Sequence, residues 1–442
     1  MNELPIDKLK GYAETILDEA KKQGATSAEA GVHIQKGLDV GIRMGETETI
    51  EYTNDHGLGV TVYFGLRKGS ANTSILSSNS IKETVAAACR IAKYTSEDPA
   101  SGLAEAELMA KNPRDLDLNH PWSINPDEAA NLAIECENAA NEYDKRINNS
   151  EGASCYTNEN LFVYGNTHGF LEGYPSTKHG ISCAVLAGQD DLMQRDYWYT
   201  TDRISSQLQT PKEVGKEAAK RTVSRLGSRK IKTTSCPVLF KADIAPSLLR
   251  GLFMAINGTA IYRKASFLLN HLDQKIFPDW VDIEENPHEL RGMASAFFDN
   301  EGVATKKHKI VNKGNLKSYI LDSYSGRKLN MKPNGNAGGL RNITIQNTGQ
   351  SFDDLVRDMG TGLIVTEMMG QGASPVTGDY SRGAAGFWVE RGEVAFPVQG
   401  VTVAGNLKKM FKGLAAIGRD ENIPGSTKTG SWLIDDMTVA GD

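Results

Sequence analysis

The sequence predicts an α+β protein whose first half is built from helix-and-strand units and whose second half is a β-rich domain. Three observations support this prediction. Apolar residues recur at helical spacing in several separate stretches up to about residue 256 and lose that period afterwards. Short alternating apolar runs, which are typical of strands, lie between these helices. Beyond residue 256, glycines separate many β-prone runs, which indicates tight turns between strands.

The first predicted unit covers residues 1–115 and opens with an amphipathic helix over residues 9–23, where apolar side chains recur on one helical face. Residues 28–73 alternate between apolar and polar positions, so antiparallel strands are expected there. A second helix follows these strands. Ser80 and Glu83 have the spacing of a capping box and predict where this helix begins.

The second predicted unit, residues 116–228, repeats the same order of helix, strands and helix. Asn125 is expected to cap its first helix. Thr210 and Glu213 form a capping box at the start of its last helix. The recurrence lies in the order of elements and not in sequence identity, so a duplication is a hypothesis. A polar stretch then marks a boundary, and residues 229–442 form the predicted β-rich domain.

Composition and charge argue against several classes of protein. The formal net charge is −6 and the basic residues are scattered without a basic run, so direct contact with nucleic acid is not expected. No stretch approaches the roughly 18 apolar residues of a transmembrane helix, and the N-terminus lacks the apolar core of a signal peptide. The five cysteines occur singly, as expected for free thiols in a reducing compartment. A cytoplasmic protein without a membrane partner is therefore expected.

No local motif in the sequence supplies the ligands of a zinc peptidase. Such a site needs two histidines on one helical face with a glutamate beside them. His288 and Glu289 begin a motif of this kind, but Gly292 and Met293 stand where the second histidine is required. An ordinary turn is predicted for this segment. The eight histidines all lie more than ten residues apart, so no local set of metal ligands is indicated.

A glycine-rich run and two acidic pairs are interpreted as structural features and not as binding or catalytic sites. The glycine-rich run NGNAGG at 334–339 matches neither the spacing of a phosphate-binding loop nor that of a dinucleotide-binding loop. A turn, or a close approach of two backbones, is predicted instead. The acidic pairs Glu284 with Glu285, and Asp435 with Asp436, lie among polar or strand-edge residues, and solvated faces are predicted for both pairs.

Several segments of the second half resemble the TldD/PmbA family, on its PmbA (TldE) branch. They follow one another in the right order, and they are YRKASFLLN at 262–270, FDNEG at 298–302, SYSGRKLN at 323–330, NAGG at 336–339, the long run from MGTGLIV to AFPV at 359–398, and GNLKKMFKGLAAIGRDEN at 405–422. The resemblance extends over nearly the whole chain, because the family also implies a first half of helices and strands.

The resemblance implies that this chain lacks the metal site of the catalytic TldD branch, which carries an HExxxH helix and a late cysteine as zinc ligands. Residues 248–255 resemble that helix, with Arg250 and Ala255 at the histidine positions and Gly251 at the glutamate position. An arginine stays protonated, and glycine and alanine side chains have no donor atoms. No cysteine follows Cys236. No catalytic or metal-binding residue is expected in this chain, and zinc is expected in a partner subunit.

The sequence leaves more than one function open. The first hypothesis is a non-catalytic subunit that forms a heterodimer with a zinc-bearing TldD-like subunit and acts in proteolysis, holding unfolded peptides by edge-strand pairing. The second is a self-sufficient metalloprotease, a hydrolase whose site is assembled from distant residues. A regulator of another protein, such as DNA gyrase, is a third alternative. Whether the chain is an enzyme on its own, and whether it forms homodimers, is left undecided.

Residues 248–255 resemble the zinc-binding helix but lack its ligands, and we call positions 250, 251 and 255 the degenerate positions. This region leads to two further expectations. Residues 243–256 are predicted to form a helix with an apolar inner face, because Ile244, Leu248, Leu252 and Ala255 share one side. If missing ligands alone account for the missing metal site, histidines at 250 and 255, a glutamate at 251 and a cysteine added at 420–426 should restore ligand types suitable for zinc. Zinc binding is expected only if the backbone already positions these side chains.

Overall fold

A computed structural model describes residues 6–421 and 425–442. The segment 420–426, considered above for an added cysteine, therefore lies partly outside the described residues. The α-helices of the described ranges are α1 (Ile6–Lys22), α2 (Ser78–Tyr94), α3 (Pro126–Asn141), α4 (Pro211–Ser224), α5 (Pro246–Ala255), α6 (Gly258–Tyr262), α7 (Ser323–Leu329), α8 (Phe352–Met359) and α9 (Leu407–Lys412).

The β-strands outnumber the helices and lie in three sheets. In chain order they are β1 (Ser27–Arg43), β2 (Glu46–Phe64), β3 (Arg67–Thr73), β4 (Ile147–Asn166), β5 (Leu171–Ala187), β6 (Gln194–Asp202), β7 (Thr234–Phe240), β8 (Ile283–Glu285), β9 (His308–Asn312), β10 (Asn315–Leu316), β11 (Ile343–Ile345), β12 (Gly362–Met369), β13 (Asp379–Glu390), β14 (Glu393–Asn406), β15 (Leu414–Ile417), β16 (Thr427–Lys428) and β17 (Trp432–Ala440).

The first half of the chain repeats one order of elements, a helix, three strands and a helix. Both repeats contribute to a single antiparallel sheet with the strand order β3-β2-β1-β4-β5-β6. The first strands of the two units, β1 and β4, therefore pair at its centre, and the order of strands is symmetric about that pair. The α+β class is confirmed, whereas the boundaries at 115/116 and 228/229 stay a prediction.

Helices α1 to α4 all cover one face of this sheet. Side chains alternate between the two faces of a strand, so every second residue points to the helices. Val32 of β1 lies in the core under α1 and α2, and Val40 of the same strand lies in the core under α3 and α4. The alternation read from the sequence therefore places the apolar core of the first half between this face and the four helices.

The helix starts of α3 and α4 are those predicted, each with a reciprocal capping box. The predicted start of α2 is wrong, because the helix begins at Ser78 with Ser77 as its cap. Ser80 lies inside the first turn, where its backbone N–H donates to Ser77 Oγ at 3.2 Å. Glu83 accepts a hydrogen bond from the Asn79 side chain at 2.8 Å instead of capping the helix.

The second half of the chain is β-rich, as predicted. Strands β7, β12, β13, β14 and β17 close into a ring, because β14 pairs with both β13 and β17. A second sheet has the order β10-β9-β8-β11-β16. The core of this half contains Leu248 of α5 together with the fully buried Trp432 of β17. Asp435 and Asp436, also on β17, are exposed as predicted.

The second half holds the linker between the two N-terminal units through α7. The Arg327 guanidinium donates to the carbonyl oxygens of Ala100 and Gly102 at 3.1 Å each. Tyr324 Oη donates to an Asp98 carboxylate oxygen at 2.7 Å. The segment SYSGRKLN, one of those that carry the family resemblance, therefore anchors this linker. None of the helices within the described ranges is both long and apolar enough to cross a membrane.

Candidate functional site

Helix α5 carries the positions that the resemblance compares with zinc ligands. Pro246 occupies its first turn, where the missing N–H of a proline leaves no hydrogen bond unmade. The predicted apolar inner face is present, since Leu248, Leu252 and Ala255 are all buried. Ile244 precedes the helix and packs partly buried against the same core. The helix is thus held in place by the β-rich core behind it.

The three degenerate positions do not face a common point. Arg250 is exposed and lines an open cleft. Gly251 is buried, and a Cβ atom added there would lie 2.7 Å from Leu407 Cδ1. Ala255 is fully buried, and its carbonyl oxygen accepts a hydrogen bond from Ser266 Oγ at 2.6 Å. These residues do not fit a zinc ion, because they offer no donor atoms and no shared direction.

A zinc site elsewhere in the chain would need about four nitrogen, sulfur or oxygen donors around one point. Residues 6–421 and 425–442 contain no group of three or more histidine, cysteine, aspartate or glutamate side chains arranged in this way. His288 lies in a turn, as predicted. Its Nε2 is 2.9 Å from Thr305 Oγ1, and its ring stacks on Phe297. This histidine therefore contributes to packing.

A cleft of about 720 Å³ runs along the exposed side of α5. Its volume lies in the range of about 300–1,000 Å³ that is common for ligand sites. The positive charges on its walls belong to Arg250 and Arg263, and no aspartate or glutamate of the described residues lines it. The larger apolar side chains of its walls are Phe253, Met254, Ile320, Leu340, Ile343 and Val376. The cleft is therefore apolar and basic at the same time.

One wall of the cleft is an open strand edge. Ser426 and Thr427 line the cleft, and Thr427 belongs to β16. This strand pairs in parallel with β11, and the Ile343 N–H donates to Ser426 O at 2.7 Å. Among the described strands, none pairs with the other side of β16. Such an edge accepts an extended chain through main-chain hydrogen bonds.

The glycine-rich segment 334–339 forms a turn beside this cleft, as predicted. Gly335 has a φ of +82°, and a Cβ atom there would lie 2.5 Å from Ala304 O. Gly338 has a φ of +91° and packs equally closely against the Asn300 side chain. Glycine is needed at both positions, because larger residues resist a positive φ and would clash. The turn presents Leu340 to the cleft wall.

A buried carboxylate supports this turn. Glu285 is only 1% exposed, so the prediction of a solvated face is wrong for this residue. It accepts two hydrogen bonds from Asn336 Nδ2, at 3.0 and 2.9 Å, and one from the Arg341 N–H at 2.6 Å. The reason for its burial is that β8 lies between β9 and β11 in its sheet. Burial raises the pKa of Glu285 to about 7.

The cleft brings together residues that sequence reasoning did not connect. Arg263 is part of the segment YRKASFLLN, which was noted only for the family resemblance. It follows α6 directly and lines the same cleft as Arg250 of α5. No helical periodicity connects the two arginines, because α5 ends at Ala255 and Asn257 caps the separate helix α6. Only the fold of this helix pair brings them to one site.

Comparison with protein families matches three successive domains of one family to this chain. Residues 28–92 match PmbA/TldA metallopeptidase domain 1, residues 119–226 match the central domain, and residues 233–441 match the C-terminal domain. The chain is also 49% identical over 414 residues to the protein named Metalloprotease PmbA from Escherichia coli O157:H7. That match covers 94% of this chain and 92% of the relative.

Two solved structures share the fold over almost their full length. One, from Bacteroides thetaiotaomicron and described as a candidate modulator of DNA gyrase, has a TM-score of 0.93 at 27% identity and covers 99% of each chain. The other is TldE from Thermococcus kodakarensis, with a TM-score of 0.85 at 17% identity, covering 97% of this chain and 100% of that chain. Because three family domains match and a 49% identical relative is covered almost in full, the chain belongs to the PmbA/TldD family, in its PmbA (TldE) branch.

Proposed function

We propose that this chain is the non-catalytic partner of a zinc-bearing TldD-like subunit, in a cytoplasmic complex that processes unfolded peptides. One observation carries the proposal. On α5, Gly251 and Ala255 are used for core packing, while Arg250 lines an open cleft of ligand size. The helix thus keeps a cleft that can hold a peptide but offers no donor set for the metal that would cut one.

The proposal is tested by comparing this chain, a TldD-like subunit from the same organism, and their mixture. We expect the two chains to co-purify, and the mixture to hydrolyse an unfolded peptide. This chain alone is expected to hold no stoichiometric zinc after dialysis and to hydrolyse no peptide, because α5 lacks ligand side chains. Zinc content by mass spectrometry and release of peptide fragments are the measurements.

Two results would contradict the proposal. One zinc per molecule together with peptide hydrolysis by this chain alone would support the alternative, a self-sufficient metalloprotease with dispersed ligands. Separate elution of the two subunits, with no effect of this chain on peptide hydrolysis, would show that this chain is not the partner of the TldD-like subunit.

A surface suited to the partner is the outer half of β2. Residues 46–57 pair with β1 on one side, whereas β3 pairs only with residues 58–64. Within the described residues, no strand covers the remaining edge of 46–57. Ile50 and Tyr52 are 50% and 70% exposed on this edge. The segment contains four acidic residues and no lysine or arginine, so it suits a strand that carries basic residues.

Replacing Ile50 and Tyr52 together with lysine is expected to lower co-purification of the TldD-like subunit about tenfold or more. The change removes apolar contact area and places charge on the pairing edge. Both side chains are exposed, so the fold should be kept. Ile91→Lys is the matched control, because Ile91 is 49% exposed on α2, away from this edge. Equal retention of the partner by the double variant and the control would exclude this edge as the docking surface.

A further inference from the structure

We propose that the cleft beside α5 binds the C-terminal carboxylate of an extended peptide whose last residue is apolar, with Arg250 and Arg263 as the carboxylate-binding pair. This inference rests on the proposed role in peptide handling and names the feature of the peptide that the cleft recognises. It is carried by the charge of the cleft, by its apolar walls and by its open strand edge.

The charge of the cleft is opposite to that of the chain as a whole, which carries a formal net charge of −6. Neither Arg250 nor Arg263 forms an ion pair with an acidic side chain of the described residues. The Arg263 guanidinium lies over the ring of its neighbour Tyr262, 5.7 Å from the centroid. Guanidinium groups bind carboxylates through two parallel hydrogen bonds, so two arginines without acidic partners favour an anionic ligand.

The walls between these charges are apolar and accessible. Met254 is 43% exposed and Val376 is 53% exposed, so a ligand in the cleft can contact both side chains. Phe253 and Leu340 extend the same surface. Covering these side chains with an apolar group removes hydrophobic area from water and favours binding.

A ligand that satisfies both the arginine pair and the apolar walls is the C-terminal end of a peptide. A C-terminal residue carries a carboxylate on its backbone and keeps its side chain free to contact the apolar walls. An internal aspartate or glutamate uses its side chain for the charge and cannot fill the walls from the same position. The preceding residues can then pair with the open edge of β16 at Thr427, which tolerates any sequence because the hydrogen bonds are made by the main chain.

The test compares three dye-labelled, unstructured peptides of equal length by fluorescence anisotropy with the full chain. The first ends in leucine with a free carboxylate, the second is its C-terminal amide, and the third is an amide with an internal aspartate. We expect the free acid to bind about tenfold or more tightly than either amide, as expected for charge-assisted hydrogen bonds. Arg250→Gln and Arg263→Gln should each weaken binding of the acid about tenfold and leave binding of the plain amide unchanged.

Arg90→Gln is the matched control, since Arg90 is exposed on α2 and should not change the affinity for any peptide. Equal affinity for the acid and the plain amide, or no binding of any of the peptides, overturns the inference. Binding of the aspartate peptide as tight as that of the acid assigns the arginines to an acidic side chain and also overturns it. If the acid is not preferred while the chain still supports hydrolysis by the TldD-like subunit, the carboxylate site is wrong and the partner role stands.

Discussion

Gly251→Glu is expected to lower the free energy of unfolding of this chain by about 3–5 kcal/mol, the usual cost of an unpaired charge in a core. Gly251 is buried on the inner side of α5, and its added Cβ would lie 2.7 and 3.6 Å from the two methyl groups of Leu407. Leu407 is itself fully buried in the core of the second half. The glutamate would therefore have to displace the leucine and would leave its carboxylate among apolar side chains.

The measurement is urea unfolding of the variant and the parent chain followed by circular dichroism. Arg250→Glu is the matched control, because it introduces the same side chain one residue earlier at an exposed position, where about 0.5 kcal/mol or less is expected. An unchanged midpoint for Gly251→Glu would show that position 251 has room for a long side chain. Missing ligand side chains alone would then be enough to explain why the chain has no metal site.

The same geometry changes the expectation for the redesigned zinc site. From the sequence, two histidines, a glutamate and a cysteine were expected to restore zinc-ligand types, with binding only if the backbone already positions them. In the structure, only position 250 faces the cleft, while the side chains at 251 and 255 point into the core. The combined variant is therefore expected to lose stability without holding zinc. The cysteine would lie in 420–426, of which residues 422–424 are outside the described ranges.

Glu285→Gln is expected to remove up to about 3 kcal/mol of pH dependence from the stability of the chain. The pKa of Glu285 is raised from an ordinary 4.5 to about 7 by burial. Between these two values the folded chain binds more protons than the unfolded chain, so the free energy of unfolding falls as pH rises and is lowest above about pH 7. Glutamine is neutral throughout, and the variant should lack this fall.

Charged and titratable groups near Glu285 also influence how the stability of the chain depends on pH. His308 Nδ1 lies 3.4 Å from Glu285 Oε2, and burial lowers the pKa of this histidine. Its contribution has the opposite sign, because a lowered histidine pKa stabilises the fold as pH rises towards 6.5. Arg341, whose backbone N–H binds Glu285, is also buried and adds a cation nearby. The informative quantity is therefore the difference between variant and parent at acidic and at neutral pH.

Glu284→Gln provides the control for this prediction. Glu284 is the next residue of β8 but points to the opposite face of the sheet, where it pairs with Lys307 at 2.7 Å near solvent. Its replacement should shift the unfolding curves at both pH values by a similar, small amount. Parallel pH profiles for Glu285→Gln and the parent chain would mean that the buried carboxyl does not change its protonation in this range.

The sequence by itself determined the features that depend on neighbouring residues. Apolar spacing marked α1 and α3, and the caps at Asn125 and Thr210 marked two helix starts, because both signals lie within a few residues of each other. The repeated order of helix, strands and helix was visible for the same reason, and the structure shows three strands in each unit. The family resemblance placed Arg250 and Gly251 at ligand positions, where neither residue supplies a side-chain lone pair to zinc.

Only the tertiary structure decided how these elements meet. The pairing of β1 with β4 joins residues more than 100 positions apart, as in the contact of Val40 with Cys155, and no local pattern specifies it. Glu285 was misjudged because its burial comes from the strands on either side of β8. The cleft of Arg250 and Arg263 likewise depends on which face of α5 the β-rich core covers. A side chain's direction follows from this long-range packing, so its exposure and its chemistry are set by the fold as a whole.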